Sequence, residues 1–77
     1  MIAASEKKRM YNIPLVAENV VLQLEKIGVC QIEDLKGKTP TQVINEINEK
    51  AGHKVLAGPM AYMAITNLID AADGRQF

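Results

Sequence analysis

Five glycines stand singly along the chain, at positions 28, 37, 52, 58 and 74, and each closes or opens a run with helical periodicity. A glycine inside a helix costs about 0.5–1 kcal/mol relative to alanine, but it adopts the left-handed backbone that ends one, so isolated glycines divide a chain into short helices. After Pro14, Val16, Val20, Leu24 and Ile27 recur at helical spacing with Glu18, Asn19, Gln23, Glu25 and Lys26 between them, predicting an amphipathic helix that Gly28 ends. Ile32 and Leu35 lie three apart before Gly37 and predict a second helix of about two turns. Thr39-Pro40-Thr41-Gln42 predicts the start of a third: Thr39 caps, Pro40 fits the first helical position, and Gln42 sits where a capping box places its partner. Val43, Ile44, Ile47 and Ala51 form the inner face of this helix, predicted over residues 40–51, and Asn45, Glu46, Asn48 and Glu49 form its outer face. Gly58-Pro59 repeats the start signal. Met60, Met63, Ala64, Ile65, Leu68, Ile69, Ala71 and Ala72 then leave a fourth helix apolar on nearly all sides, which predicts that it is the buried central one. No useful stretch alternates with period two, so the fold class expected is all-α, a small bundle of four to five helices.

A chain of 77 residues has room for one core. The domain is expected over residues 13–77, with residues 1–12 as a lead-in, either weakly ordered or a short helix after Ser5; Met10 and Tyr11 are the residues by which it would dock. Hydrophobic residues make up 48% of the chain, yet Tyr11, Tyr62 and Phe77 are its only aromatics, so the core must be built from aliphatic residues and methionine. That palette suits helices packed on helices.

Nine Lys and Arg balance nine Asp and Glu, which removes the argument for nucleic-acid binding that a strongly basic domain would give. Any such role falls to a local patch, for which Lys7, Lys8, Arg9, Lys36 and Lys38 are the candidates; a solvated terminus is the preferred reading of the first three. The lone cysteine, Cys30, cannot form an internal disulfide and points to a reducing compartment, the cytoplasm by default. Neither an export signal nor an apolar run near the roughly 18 residues of a membrane span is evident. One Cys and one His are too few for structural zinc, and no glycine-rich phosphate loop is present, so neither a metal nor a cofactor is expected. Cys30 and His53 as nucleophile and base would need a third residue to orient them; the preferred reading is a small buried thiol and a plain loop histidine. Met60 and Met63, with Tyr62 between them, fit a pliable binding groove or a gap-filled core, and the core is preferred.

The run from Ile13 to Leu24, then Ile27-Gly28-Val29, then Ile32-Glu33-Asp34-Leu35, resembles a helix-hairpin-helix domain of the SAM-like type. Two families are similar: the C-terminal domain of the TfoX competence regulators, in the ending Tyr62 to Phe77 with Gly74-Arg75-Gln76-Phe77, and the stand-alone "pathogenicity locus" family, in length and in the step from Gly37 to Pro40. The resemblance implies a SAM-like bundle associated with DNA. A hairpin competent for DNA has Gly-hydrophobic-Gly and then a basic residue, because glycines let backbone N–H groups approach a phosphate. Here those positions hold Leu15, Val16 and Ala17, followed by Glu18 and Asn19, so a carboxylate faces the place of the phosphate. The expected function is therefore a non-catalytic module making protein contacts, with a partner or as a homodimer, in a regulatory or DNA-associated pathway. Weak DNA binding through the basic patch is the alternative, and no small-molecule substrate or membrane is implied.

Overall fold

The computed structural model describes residues 2–74. They form α1 (Ala4–Tyr11), α2 (Glu18–Lys26), a single 3-10 turn (Ile32–Leu35), α3 (Pro40–Ala51) and α4 (Pro59–Ala72), with no strand among the described residues. The fold is all-α. The resemblance drawn from Arg75, Gln76 and Phe77 lies outside the described residues.

The segment read as a lead-in is built into the bundle. Ile2 and Met10 are buried in the same core as the later helices, whereas Tyr11 stays exposed. α1 lacks a side-chain cap, and two carboxylates tie its segment down instead. The Ile2 N–H donates to Glu25 Oε2 at 3.0 Å, and the Ile32 N–H donates to Glu6 Oε1 at 2.9 Å.

α2 begins at Glu18, later than the apolar spacing after Pro14 suggested, because Leu15 has φ +68° and interrupts helical backbone there. It ends as its glycine predicts. With Gly28 at φ +89°, the Gly28 N–H donates to the Glu25 carbonyl at 3.2 Å and the Val29 N–H to the Leu24 carbonyl at 3.1 Å, the Schellman pattern. Gln23, expected on the polar face, is buried, and its side chain donates to Asn19 Oδ1 at 3.5 Å. Leu22 takes the outward position.

The predicted two-turn second helix is one 3-10 turn, since Lys36 already has extended backbone (ψ 131°) and Gly37 follows in the left-handed region. A reciprocal capping box fixes its start: Asp34 Oδ2 accepts from the Cys30 N–H at 2.8 Å and the Gln31 N–H at 3.2 Å, while the Gln31 side chain accepts from the Asp34 backbone. α3 has the bounds predicted for it. Thr39 Oγ1 accepts from the Gln42 N–H at 3.2 Å, and Gly52 at φ +80° terminates the helix.

α4 is the central element, packed most extensively against the 3-10 turn and α3. Ala64, Ile65, Leu68, Ile69 and Ala72 are its buried face. The expectation of burial on nearly all sides fails in its first turns, where Met60, Tyr62 and Met63 are 61%, 47% and 50% exposed. Each helical residue advances about 100°, so Met60, Met63 and Asn67 share a stripe pointing away from the Ile65–Leu68 face. The two methionines read as core filling are surface residues.

Candidate functional site

Two loops lie side by side: residues 12–17 between α1 and α2, and residues 52–58 between α3 and α4. Each is pinned by an asparagine from a helix. Asn48 of α3, expected on the outer face, is half-buried and turned onto the second loop. Its Oδ1 accepts from the Val55 N–H at 2.9 Å and the Leu56 N–H at 3.1 Å, and its Nδ2 donates to the Leu56 carbonyl at 3.2 Å. Asn67 of α4 donates from Nδ2 to the Pro14 carbonyl at 2.8 Å, beside Leu15. An unsatisfied buried amide or carbonyl is costly, so the part-buried Asn48 bonds fix the second loop, and the exposed Asn67 bond adds a tie to the first.

Between the pinned loops runs an open groove. Leu15, Ala17, Asn19 and Val20 line one side, and Val55, Leu56, Ala57, Met60 and Ala61 the other. None of these nine residues is ionisable, and Asn19 alone has a polar side chain. Leu15 and Met60, which border it, are 42% and 61% exposed. Leu15 is also the one described residue other than glycine with positive φ. For an L-residue that backbone costs about 1–2 kcal/mol, and the Asn67 bond to the preceding carbonyl helps to hold it.

Val16 is half-buried, while Ala17, Glu18 and Asn19 are exposed at the start of α2. Ala17 supplies no side-chain cap, and Glu18 in the first turn puts a carboxylate at the positive end of the helix. The approach to α2 therefore presents Leu15, alanine and a negative charge.

Three of the five candidate cations are paired with carboxylates. Arg9 donates to both Glu33 oxygens, at 3.0 Å to Oε1, and lies 3.1 Å from Glu6 Oε1. This pair of hydrogen bonds from Arg9 holds the Glu33 carboxyl below its usual range and raises the Arg9 guanidinium further. Lys7 lies 3.7 Å from Glu25, whose carboxyl is lowered chiefly by the Ile2 N–H. Lys38 pairs with Glu46 at 3.2 Å, in a shallow depression also lined by Lys26, Lys50 and Glu49. Lys8 and Lys36 are exposed. A phosphate approaching Arg9, Lys7 or Lys38 would meet a carboxylate already paired with the cation.

Cys30 is exposed, contrary to the buried thiol expected, because it leads into the 3-10 turn with its backbone turned inward to Asp34. Its Sγ lies 3.7 Å from the Gly28 carbonyl, and His53 Nδ1 lies 3.1 Å from the Ala51 carbonyl. No hydrogen bond joins the two residues. Among the described residues no group of three metal-ligating side chains converges, and no helix is long and apolar enough to cross a membrane.

The sequence reading missed the groove as a unit. Lys54-Val55-Leu56 is too short a run to carry a periodicity, and nothing local marks Asn48 and Asn67 as loop clamps. The available signals were Gly58-Pro59, which places a loop before α4, and the Met60-Met63-Asn67 spacing, which puts three non-core residues on one stripe. No family model, curated protein or solved structure matches the chain.

Proposed function

We propose that this chain is a degenerate helix-hairpin-helix domain of the SAM-like type, resembling the TfoX C-terminal and pathogenicity-locus families, that works as a non-catalytic protein-contact module. Its setting in this reading is a regulatory or DNA-associated pathway in the cytoplasm. The observation that carries the proposal is the uncharged groove between the two loops, bordered by Leu15 and Met60 where a DNA-binding hairpin would offer glycine amides and a cation. Burying a phosphate there would desolvate it without a counter-charge, whereas an apolar protein surface would remove exposed Leu15 and Met60 from water. The pairing of Arg9, Lys7 and Lys38 with carboxylates supports the same choice.

Titration against short duplex and single-stranded DNA at low and moderate salt tests it. Phosphate contacts release counterions, so binding carried by lysine and arginine weakens steeply as salt rises. The expected result is no binding with that dependence; salt-steep binding would transfer the function to the basic residues and overturn the protein-contact reading.

A further inference from the structure

We infer that residues 2–11, the segment carrying α1, form a latched strap that opens as a unit about Asn12 while α2, the 3-10 turn, α3 and α4 stay folded. Opening of this kind is independent of the protein-contact reading. α1 holds itself poorly: it has eight residues, too few for a stable helix alone in water, no side-chain cap, and Met10 as its one buried residue. Ile2 and Met10 are the only buried side chains of the segment, and every other buried apolar side chain of the described core comes from residue 13 onward. There α4 packs on the 3-10 turn and α3, and α2 packs on α3 and α4. The body therefore keeps its own core when the strap leaves.

Carboxylates form the latch. Glu25 of α2 accepts from the Ile2 N–H and pairs with Lys7, Glu33 of the 3-10 turn pairs with Arg9, and Glu6 of α1 accepts from the Ile32 N–H. Arg9 and Glu33 are both about half exposed, so that pair is screened by salt and holds weakly. The bond to Ile32 is the stronger tie, because Ile32 is only 1% exposed and its N–H has no water to turn to.

The pivot is fixed from the other side. Ile13 is buried, and the Pro14 carbonyl accepts from Asn67 Nδ2 at 2.8 Å, so the moving part stops at Asn12, which is exposed. Opening bares Ile2, Met10 and the surface beneath them. The domain thereby has two states, and a ligand that prefers either one shifts their balance.

Native-state hydrogen exchange of the full chain, read amide by amide by NMR in increasing urea below the unfolding transition, tests the strap. A local opening exposes little surface and depends weakly on urea, whereas global unfolding depends on it steeply. The hydrogen-bonded amides of α1 should share one protection level, at least about tenfold below those of Val43, Ile47, Ile65 and Leu68, with a shallower urea slope. The Ile32 N–H is diagnostic: its acceptor leaves with the strap, so it should exchange with α1 and not with the core. Glu6→Ala keeps a helix former and removes that acceptor, and should lower α1 protection by about tenfold. Asn48→Ala weakens the body away from the seam, so it should lower α3 and α4 protection by about thirtyfold and leave the α1 amides and Ile32 unchanged. Three results overturn the strap: α1 amides with the protection and urea slope of α3 and α4, or falling with them in Asn48→Ala; α1 amides that fray one by one while Ile32 keeps the protection of the core; or α1 protection indifferent to Glu6→Ala.

Discussion

Replacing Asn48 by alanine should cost this domain a large part of its stability, even though the residue carries no apolar surface of consequence. The Asn48 side chain satisfies the Val55 N–H, the Leu56 N–H and the Leu56 carbonyl, and Leu56 is only 4% exposed. Each intramolecular hydrogen bond contributes about 0.5–1.5 kcal/mol net, with a further penalty where the stranded group is shut from water, so three bonds amount to about 2–4 kcal/mol. A chain of this length has about 4–12 kcal/mol in all, at about 0.05–0.15 kcal/mol per residue. The assay is urea unfolding followed by circular dichroism, with a thermal midpoint as second readout. One kcal/mol moves the midpoint of a domain this size by about 4–8 °C, so a fall of about 8 °C or more is expected. Asn45→Ala, an exposed position on the same helix, should stay within about 0.5 kcal/mol. Asn48→Asp keeps an acceptor for both N–H groups but loses the donor to Leu56, and should fall between the two. An Asn48→Ala loss no larger than that of Asn45→Ala would refute the claim that this side chain holds the second loop.

The remaining expectations concern acid and helix ends. Glu25, Glu33 and Asp34 are all held below the ordinary carboxylate range, chiefly by the Ile2 N–H, the Arg9 guanidinium and the Cys30 N–H respectively. A carboxylate depressed in the folded state stabilises above its unfolded value and loses that contribution as pH falls through the folded one. The thermal midpoint should therefore be steady near neutrality and fall once pH drops below about 4, and a midpoint unchanged from about pH 6 to about pH 3 would contradict the network. Glu25→Gln should make that fall shallower. Gly28→Ala meets no atom within 4 Å, so its cost is conformational alone, about 1–2 kcal/mol for an L-residue at φ +89°, measured by the same urea curves; a neutral result would remove the left-handed cap as a determinant of the α2 end.

What was legible in the sequence was what short-range chemistry writes there. Thr39, Pro40 and Gly52 bound α3 because capping, a preset φ and a left-handed stop all act within a few residues. Leu24, Ile47, Ile65 and Leu68 could be placed inside because their spacing matches the helical period. The late start of α2 could not, since a leucine in the left-handed region carries no glycine or asparagine to announce it. Gln23 and Asn48 were assigned outward by polarity, and only tertiary partners reverse that: Asn19 for one, the loop backbone for the other. The groove is harder still, because it is made by segments some forty residues apart, and the Asn67 bond to Pro14 closes 53 positions of chain. Met60 and Met63 misled for a related reason: in an apolar helix, composition alone does not say which turn extends past the body it packs on.

The same long-range clamps decide how a groove this small can bind at all. A mobile loop must be ordered on docking, and that entropy is subtracted from whatever apolar contact is gained. Here the ordering is done in the free chain, by Asn48 on the second loop and Asn67 on the first, so the apolar edge of Leu15 and Met60 is presented in one arrangement. Leu15 makes the point most sharply: its backbone is strained and its side chain is 42% in water, two unfavourable terms in the monomer, of which association removes the second. Asn67→Ala, which removes the donor from the Pro14 carbonyl without touching an apolar residue of the groove, should lower the thermal midpoint by about 2 °C or more. A midpoint equal to that of the parent chain would show that the backbone holds Leu15 on its own and that the Asn67 bond has no part in ordering the first loop.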